Sequence, residues 1–120
     1  MIYHVVPRDH WDISVDRPYE PASLAAEGFV HCSPDEPTTL AVVNAFYSDA
    51  PRPLLVLVLD EELLTARLEW EEALPEPPPG VAADVAFPHV YGPLNRDAVQ
   101  RILEVQWDAE GRAADLTIYA

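Results

Sequence analysis

A chain of 120 residues can form one domain with a modest core, and contents of 49% hydrophobic and 23% charged residues are typical of a globular protein. The 21 acidic residues outnumber the 7 basic ones and give a net charge of -14, which disfavours nucleic acid as a partner because its phosphates would be repelled. The 13 prolines predict short elements joined by many fixed turns.

Cysteine content and hydropathy indicate the compartment. The single cysteine, Cys32, excludes an internal disulfide, and the first residues lack the basic-then-apolar form of a secretion signal. The longest apolar run, residues 54–59, is far shorter than the roughly 20 residues of a membrane-crossing helix. We therefore expect a single domain over residues 1–120, in the cytoplasm, with no membrane partner.

The amino-terminal part of the chain predicts one strand and two short helices. Residues 2–6 are β-branched and aromatic and read as a strand that Pro7 ends. Residues 8–15 and 22–27 predict short helices, and Gly28 ends the second of them.

A second strand is predicted at residues 29–32, followed by a helix. The two-residue period of a strand separates Phe29, His31 and Ser33 from Val30 and Cys32, which point the other way. After the strand, Ser33-Pro34-Asp35-Glu36 matches a capping box, and Asp35 is an equally good cap for a helix that starts slightly later. A helix of about 12 residues should follow and pack one face on a sheet.

The remaining elements are mostly strands. Residues 54–59 form an unbroken apolar run that predicts a central strand buried on both faces. Residues 66–72 alternate, with Leu68 and Trp70 on one face and three charged residues, Arg67, Glu69 and Glu71, on the other. Residues 75–80 are proline-rich and predict a surface loop.

The carboxy-terminal third begins with a strand that resumes near Val85. Residues 97–103 predict a short helix, and residues 105–107 and 116–119 predict a closing hairpin. The fold class is therefore α+β.

Three of the four histidines lie in three strand-like segments near turns. His4 lies in Ile2-Tyr3-His4, His31 in Gly28-Phe29-Val30-His31-Cys32-Ser33, and His89 in Phe87-Pro88-His89-Val90-Tyr91-Gly92-Pro93-Leu94. Strands of a small domain can bring such segments to one polar pocket. We therefore expect any chemistry to lie where these histidines meet.

These three segments, together with Trp70-Glu71, resemble the bacterial domain-of-unknown-function family numbered 952. That family is in turn similar to the ADP-ribosyltransferase fold. The resemblance implies two small antiparallel sheets around a cleft, with a few short helices, and a cleft that accepts NAD or ADP-ribose. It also implies ADP-ribosyl transfer or glycohydrolase chemistry, with NAD as the possible substrate.

The resemblance assigns candidate catalytic residues. His4 corresponds to the first-strand histidine of the histidine-type transferases, and His31 corresponds to their second-strand position. Glu71 or His89 would orient the ribose or deprotonate the incoming nucleophile.

Candidate ligand-binding residues lie beside these histidines. Arg8 is the nearest basic residue in sequence to His4 and could meet a pyrophosphate. Ser33 precedes a helix that could present free N–H groups to an anion, although the pattern favours Ser33 itself as a helix cap. Tyr91 and Gly92 belong either to the site or to a tight structural turn.

Structural interpretations and other functions stay open at this point. His4 could be a strand histidine bonded to a neighbouring carbonyl, and Glu71 could belong to a solvated strand face. A non-catalytic module that binds a nucleotide or a protein is one alternative function. A metal site made of His4, His31 and His89 is another, because three imidazoles leave zinc one open position.

Overall fold

Two antiparallel sheets and three short α-helices make up this computed structural model over residues 1–13, 15–73 and 76–120, the part of the chain that it describes. In chain order the elements are β1 (Ile2–Pro7), α1 (Arg8–Trp11), α2 (Ala22–Glu27), β2 (Val30–His31), α3 (Glu36–Phe46), β3 (Leu54–Leu59), β4 (Arg67–Glu72), β5 (Ala86–Tyr91), β6 (Val99–Trp107) and β7 (Ala113–Ile118). Two 3₁₀ helices, Glu61–Leu63 and Arg96–Ala98, precede β4 and β6. The predicted α+β class is confirmed.

The larger sheet has the strand order β1-β3-β6-β7, and β3 lies inside it. All six residues of β3 are buried, which confirms the predicted central strand. Leu55, Leu57 and Leu59 belong to one core cluster, and Leu54, Val56 and Val58 belong to a second one. The strand is apolar on both faces because each face is covered by a core of its own.

The smaller sheet has the order β2-β5-β4 and packs on the first of these clusters. Val30 of β2 and Val90 of β5 meet Ile2 and Val6 of β1 there, so this cluster is the core between the two sheets. The second cluster lies on the opposite face of the larger sheet, where Val43 of α3 packs. The larger sheet is therefore the middle layer of the fold.

Helix α3 is fixed at both ends by side-chain hydrogen bonds. Asp35 caps its start, where the carboxylate accepts the N–H of Thr38 at 2.8 Å. Near its end, Asn44 donates to the carbonyl of Ala113 at 3.2 Å and accepts the N–H of Ala113 at 2.8 Å. These bonds hold α3 against the beginning of β7.

Ser33 does not cap this helix, so the second of the two predicted caps is the one the structure adopts. The N–H of Ser33 donates to the carbonyl of Tyr3 at 2.7 Å, and its carbonyl accepts the N–H of Tyr3 at 2.9 Å. Ser33 is therefore the point at which the chain leaving β2 is bonded to the edge of the larger sheet.

Residues 97–103 do not form the predicted helix. A 3₁₀ helix ends at Ala98, and the chain then continues as β6, which pairs with β3 on one side and β7 on the other. Pairing with two neighbouring strands outweighs a weak local helical pattern. The closing hairpin of β6 and β7 is confirmed.

Two further predictions fall partly on residues that are not described. Of the helix predicted over residues 8–15, only Arg8–Trp11 is helical, as α1, and position 14 lies outside the described residues. Position 75, the first residue of the predicted proline-rich loop, lies outside them as well. Within the described residues, no helix is long and apolar enough to span a membrane.

Candidate functional site

A pocket of about 390 Å³ opens at the junction of the two sheets and α3. Side chains from β1, α2, β2, α3, β5 and the segment after β4 line it. Its apolar walls include Val5, Val42, Phe46 and Phe87, and its polar lining includes both His31 and His89. Two of the three predicted histidines therefore share one pocket.

Aromatic rings in and beside the smaller sheet form one group around the two pocket histidines. The ring centroids of Phe29 and His89 lie 4.3 Å apart in a stacked arrangement. Phe29 also packs against His31 at 4.7 Å and against Tyr91 at 5.5 Å. The rings of His31 and His89 lie 5.6 Å apart, edge to face, because these residues are direct cross-strand partners on β2 and β5.

His31 is paired with Glu27, the last residue of α2. Its Nε2 atom lies 2.5 Å from a carboxylate oxygen of Glu27. Gly28 follows with φ +87°, and this left-handed turn reverses the chain so that Glu27 and His31 can meet. Because Nε2–H donates to the carboxylate, Nδ1 of a neutral His31 is left as an acceptor.

His89 is paired with Glu71 on the neighbouring strand. Its Nδ1–H donates to Oε1 of Glu71 at 2.7 Å, and the same oxygen accepts the hydroxyl of Tyr91 at 2.5 Å. These two hydrogen bonds, that of Tyr91 first, lower the pKa of Glu71, and the bond to Glu71 raises the pKa of Tyr91. The carboxylate of Glu71 therefore stays ionised and fixes the His89 ring.

This pairing gives His89 the geometry of an activated base. The side chain is only 2% exposed yet lines the pocket, and Nε2 has no hydrogen-bond partner among the described residues. A carboxylate behind Nδ1–H selects the tautomer whose Nε2 can accept a proton. Two imidazoles, each held by a carboxylate, are suited to general acid–base chemistry.

The pocket carries negative charge. Glu27 and Glu76 line it, and Glu71 lies behind His89. None of the described lining residues is an arginine. The pocket therefore favours a cationic ligand group.

The ring of His4 lies elsewhere, so the expected meeting of all three histidines is wrong. His4 alternates along β1 with Tyr3 and Val5, which line the pocket, and therefore points into the core between the sheets. Its Nδ1–H donates to the carbonyl of His31 at 2.7 Å, as its structural interpretation predicted. Burial lowers its pKa to about 4, and its Nε2 is buried without a partner among the described residues.

The structure does not support the metal site of His4, His31 and His89, because the ring of His4 points away from the other two. Among the described residues, no group of three or more histidine, cysteine or carboxylate side chains could hold a metal ion. His31 and His89 instead direct one nitrogen each to a carboxylate.

The structure places the four predicted ligand-binding residues at different distances from the pocket. Arg8 does not line the pocket. It forms ion pairs with Asp9 and Asp12 at the surface. Ser33 is buried in the pocket wall. Tyr91 does not line the pocket and donates to Glu71, the carboxylate that holds the pocket residue His89.

Gly92 is explained by packing. A Cβ at this position would lie 2.8 Å from the Cβ of Ala66, closer than real side chains approach. The glycine therefore allows the chain after β5 to pass the residue before β4, and it does not line the pocket.

Glu27 is the site residue that sequence reasoning missed. The sequence pattern identifies it only as the last residue of a short helix that Gly28 ends, with no role for its side chain. Its position four residues before His31, across a glycine turn, was the available signal. Phe29 lies on the face that strand periodicity predicts, and its ring contacts both site histidines, which periodicity alone does not predict.

Comparisons with known proteins identify relatives without a described activity. The family model described as "Protein of unknown function (DUF952)" matches residues 5–102. No curated protein matches the chain. The crystal structure of protein CC0527 from Caulobacter crescentus is 27% identical over 94% of this chain and 92% of that chain, with a TM-score of 0.72. The solution structure of the same Caulobacter protein is 29% identical over 93% and 90% of the two chains, with a TM-score of 0.64.

Proposed function

We propose that this chain, which belongs to the DUF952 family of proteins of unknown function, binds the nicotinamide–ribose end of NAD or an ADP-ribose-like ligand and acts on the bond to the ribose. The observation that supports this proposal is the meeting of two carboxylate-held imidazoles, His31 with Glu27 and His89 with Glu71, in one pocket. The chemistry would be ADP-ribosyl transfer or glycohydrolysis.

The size of the pocket suits one end of such a ligand. Its volume of about 390 Å³ lies toward the lower end of the range for small-molecule sites. A nucleoside-sized group would fill it, and the rest of a dinucleotide would extend outside. The apolar walls from Phe46 and Phe87 suit a flat aromatic ring.

The charge of the pocket suits the reaction as well as the ligand. The nicotinamide ring of NAD⁺ is a cationic aromatic group, and cleavage of its bond to the ribose gives the ribose oxocarbenium character. Carboxylates of Glu27, Glu71 and Glu76 would stabilise both forms of positive charge. Their stabilisation of the transition state would exceed that of a neutral product.

The two imidazoles would have separate roles. Nδ1 of His31 would accept a hydrogen bond from a ribose hydroxyl and so orient the sugar. Nε2 of His89 would take the proton of a water or acceptor hydroxyl as its oxygen bonds to C1′ of the ribose. Nicotinamide would leave with the electron pair of the broken bond, and the Glu71 carboxylate would stabilise the imidazolium that forms.

An ADP-ribosyltransferase-like fold and a cytoplasmic location belong to the same proposal. Two antiparallel sheets that share a core beside the pocket support the former. Fold likeness alone does not assign chemistry, so the proposal depends on the two pairs.

A second candidate function is a non-catalytic module that binds a nucleotide or a protein partner. The ring of Phe46 favours it, because this ring lines the pocket and is nevertheless 64% exposed. An exposed aromatic ring beside a pocket supports recognition without chemistry.

Calorimetric titration with NAD, nicotinamide riboside and ADP-ribose, combined with an assay of nicotinamide release, tests the proposal. We expect binding and release by the wild type, and loss of release with retained binding in Glu71→Gln. Glu72→Gln is the matched control, because Glu72 is exposed on the same strand. Binding without release would favour the non-catalytic module, and absence of binding to all three ligands would refute the proposal.

A further inference from the structure

A second cavity, of about 380 Å³, lies on the larger sheet next to the first pocket. Its lining includes Tyr3, Val58, Gln100 and Arg101. Tyr3 lines both cavities, so the two are adjacent. A ligand that fills the first pocket could therefore continue past Tyr3 into the second.

Strand register brings the residues of this second cavity together. Tyr3 pairs with Val58, and Val58 pairs with Arg101, which gives one row across β1, β3 and β6. Directly paired residues point to the same face of a sheet, and neighbouring strands lie about 4.8 Å apart. Arg101 thus extends from the same face as Tyr3, with its Cα roughly 10 Å away.

Helix α3 leaves this end of the sheet uncovered. It packs along the same face through Val43 against the cluster that contains Val56 and Val58. It begins at Glu36, which lines the second cavity. The cavity is therefore the space between the start of α3 and the row that ends at Arg101.

An arginine without a bonded carboxylate distinguishes this cavity from the first pocket. Arg101 is the one arginine in the lining of either cavity over the described residues, and Glu36 of α3 lines the second cavity as well. No carboxylate lies within 4.0 Å of the Arg101 guanidinium among the described residues; Arg17, Arg52, Arg96 and Arg112 share this property but line neither cavity. In a chain of charge -14, a guanidinium that faces a cavity without a bonded carboxylate is available to an anion.

We propose that the second cavity binds the phosphate-bearing part of the ligand whose aromatic end occupies the first pocket, with Arg101 as the phosphate-binding cation. This inference rests on the proposed function for the content of the first pocket. It names the substrate class as a phosphorylated nucleoside, either a mononucleotide or a dinucleotide. Arginine suits this role because its planar guanidinium can donate two parallel hydrogen bonds to a phosphate.

The other polar groups of the cavity are donors that suit a phosphate, except for one carboxylate that opposes it. Burial, and then the charge of Glu36, raise the pKa of Tyr3, so its hydroxyl remains a donor at neutral pH. Gln100 donates one amide N–H to the carbonyl of Ala98 at 3.3 Å and has a second N–H left to donate. The carboxylate of Glu36 opposes the phosphate, and its removal should strengthen phosphate binding.

Titrations with nicotinamide riboside, nicotinamide mononucleotide and NAD test the inference. We expect Arg101→Gln to weaken binding of the two phosphorylated ligands by roughly tenfold or more and to leave the riboside unchanged. Arg112→Gln removes the same charge at a position that lines neither cavity and should change nothing. Equal affinities of wild type and Arg101→Gln for the phosphorylated ligands would overturn the inference and leave the proposed function standing.

Pyrophosphate alone separates failure of this inference from failure of the proposed function. If the cavity binds phosphate, pyrophosphate will shift the backbone amide resonances of Gln100 and of residue 101 in the wild type, and will leave both unshifted in Arg101→Gln. That result would support the second cavity even if all three nicotinamide ligands failed to bind. Absence of any shift in the wild type would overturn it.

Discussion

The Nδ1 atom of His4 lies 2.7 Å from the carbonyl oxygen of His31, so a buried side chain of the larger sheet holds the backbone of the smaller sheet at a pocket residue. His4 is therefore a positioning residue, and its own ring faces the core. The bond needs a donor at Nδ1 and leaves Nε2 as a buried acceptor.

The buried His4 should make stability depend on pH. Its pKa is about 4 in the folded protein and about 6.5 in the unfolded chain, so between these values the unfolded chain binds more protons. The free energy of unfolding should fall as pH decreases from about 6.5 to about 4, by about 3 kcal/mol from this group. Urea unfolding at several pH values measures it.

His4→Gln is the matched variant, because the amide keeps a donor and cannot titrate. The difference in unfolding free energy between wild type and variant removes the contribution of the carboxylates, which titrate in both. A difference that stays constant between pH 7 and pH 4 would contradict the assignment.

His31→Ala should remove ligand binding with little loss of stability. The side chain of His31 is 42% exposed, and its pair with Glu27 is open to solvent, so we expect a stability change below about 1 kcal/mol. Thermal unfolding with and without NAD measures both effects. His10→Ala is the control, as His10 is exposed in α1. Parallel loss of binding and of folding would mark His31 as structural.

Tyr91→Phe should raise the pKa of Glu71. The hydroxyl of Tyr91 is the largest cause of the lowered pKa, and the variant removes it while it keeps the ring that packs on Phe29. Carboxyl carbon chemical shifts followed through a pH titration report this change directly. Tyr119→Phe, which removes an exposed hydroxyl outside the pair, should leave Glu71 unchanged. An unaltered Glu71 titration in Tyr91→Phe would rule out the hydrogen bond as its cause.

Gly92→Ala should destabilise the fold by about 1–3 kcal/mol, because its new methyl group would overlap the Cβ of Ala66. The double variant Ala66→Gly with Gly92→Ala removes the overlap. A double-mutant cycle by chemical denaturation should therefore show a favourable coupling. Additive effects of the two substitutions would show that Gly92 is needed for another reason.

Sequence periodicity was sufficient for much of the fold and for part of the site. The apolar run of β3 and the two-residue period at His31 each depend on local pattern, and both were predicted correctly. The same two-residue period puts His4 on the face of β1 that carries Ile2 and Val6, which belong to the core between the sheets. It could not say which face of β1 the pocket would occupy, because the packing of α3 and of the second sheet decides that.

Long-range pairing accounts for the other differences. The local pattern that predicts a helix over residues 97–103 contains no information about β3 and β7, the two strands that flank β6. Glu27 was missed because its partnership with His31 depends on the turn at Gly28, and Arg101 reaches its cavity through register with β3. Neither relationship is visible in a single stretch of sequence.

The contact between Asn44 and Ala113 has a consequence for the outer edge of β7. An edge strand offers free backbone groups to any extended chain that approaches, including another copy of the same protein. The side-chain amide of Asn44 already occupies both the N–H and the carbonyl of Ala113. An incoming strand would have to displace this amide to pair there. Helix α3, through Asn44, therefore disfavours extension of the sheet at the beginning of β7.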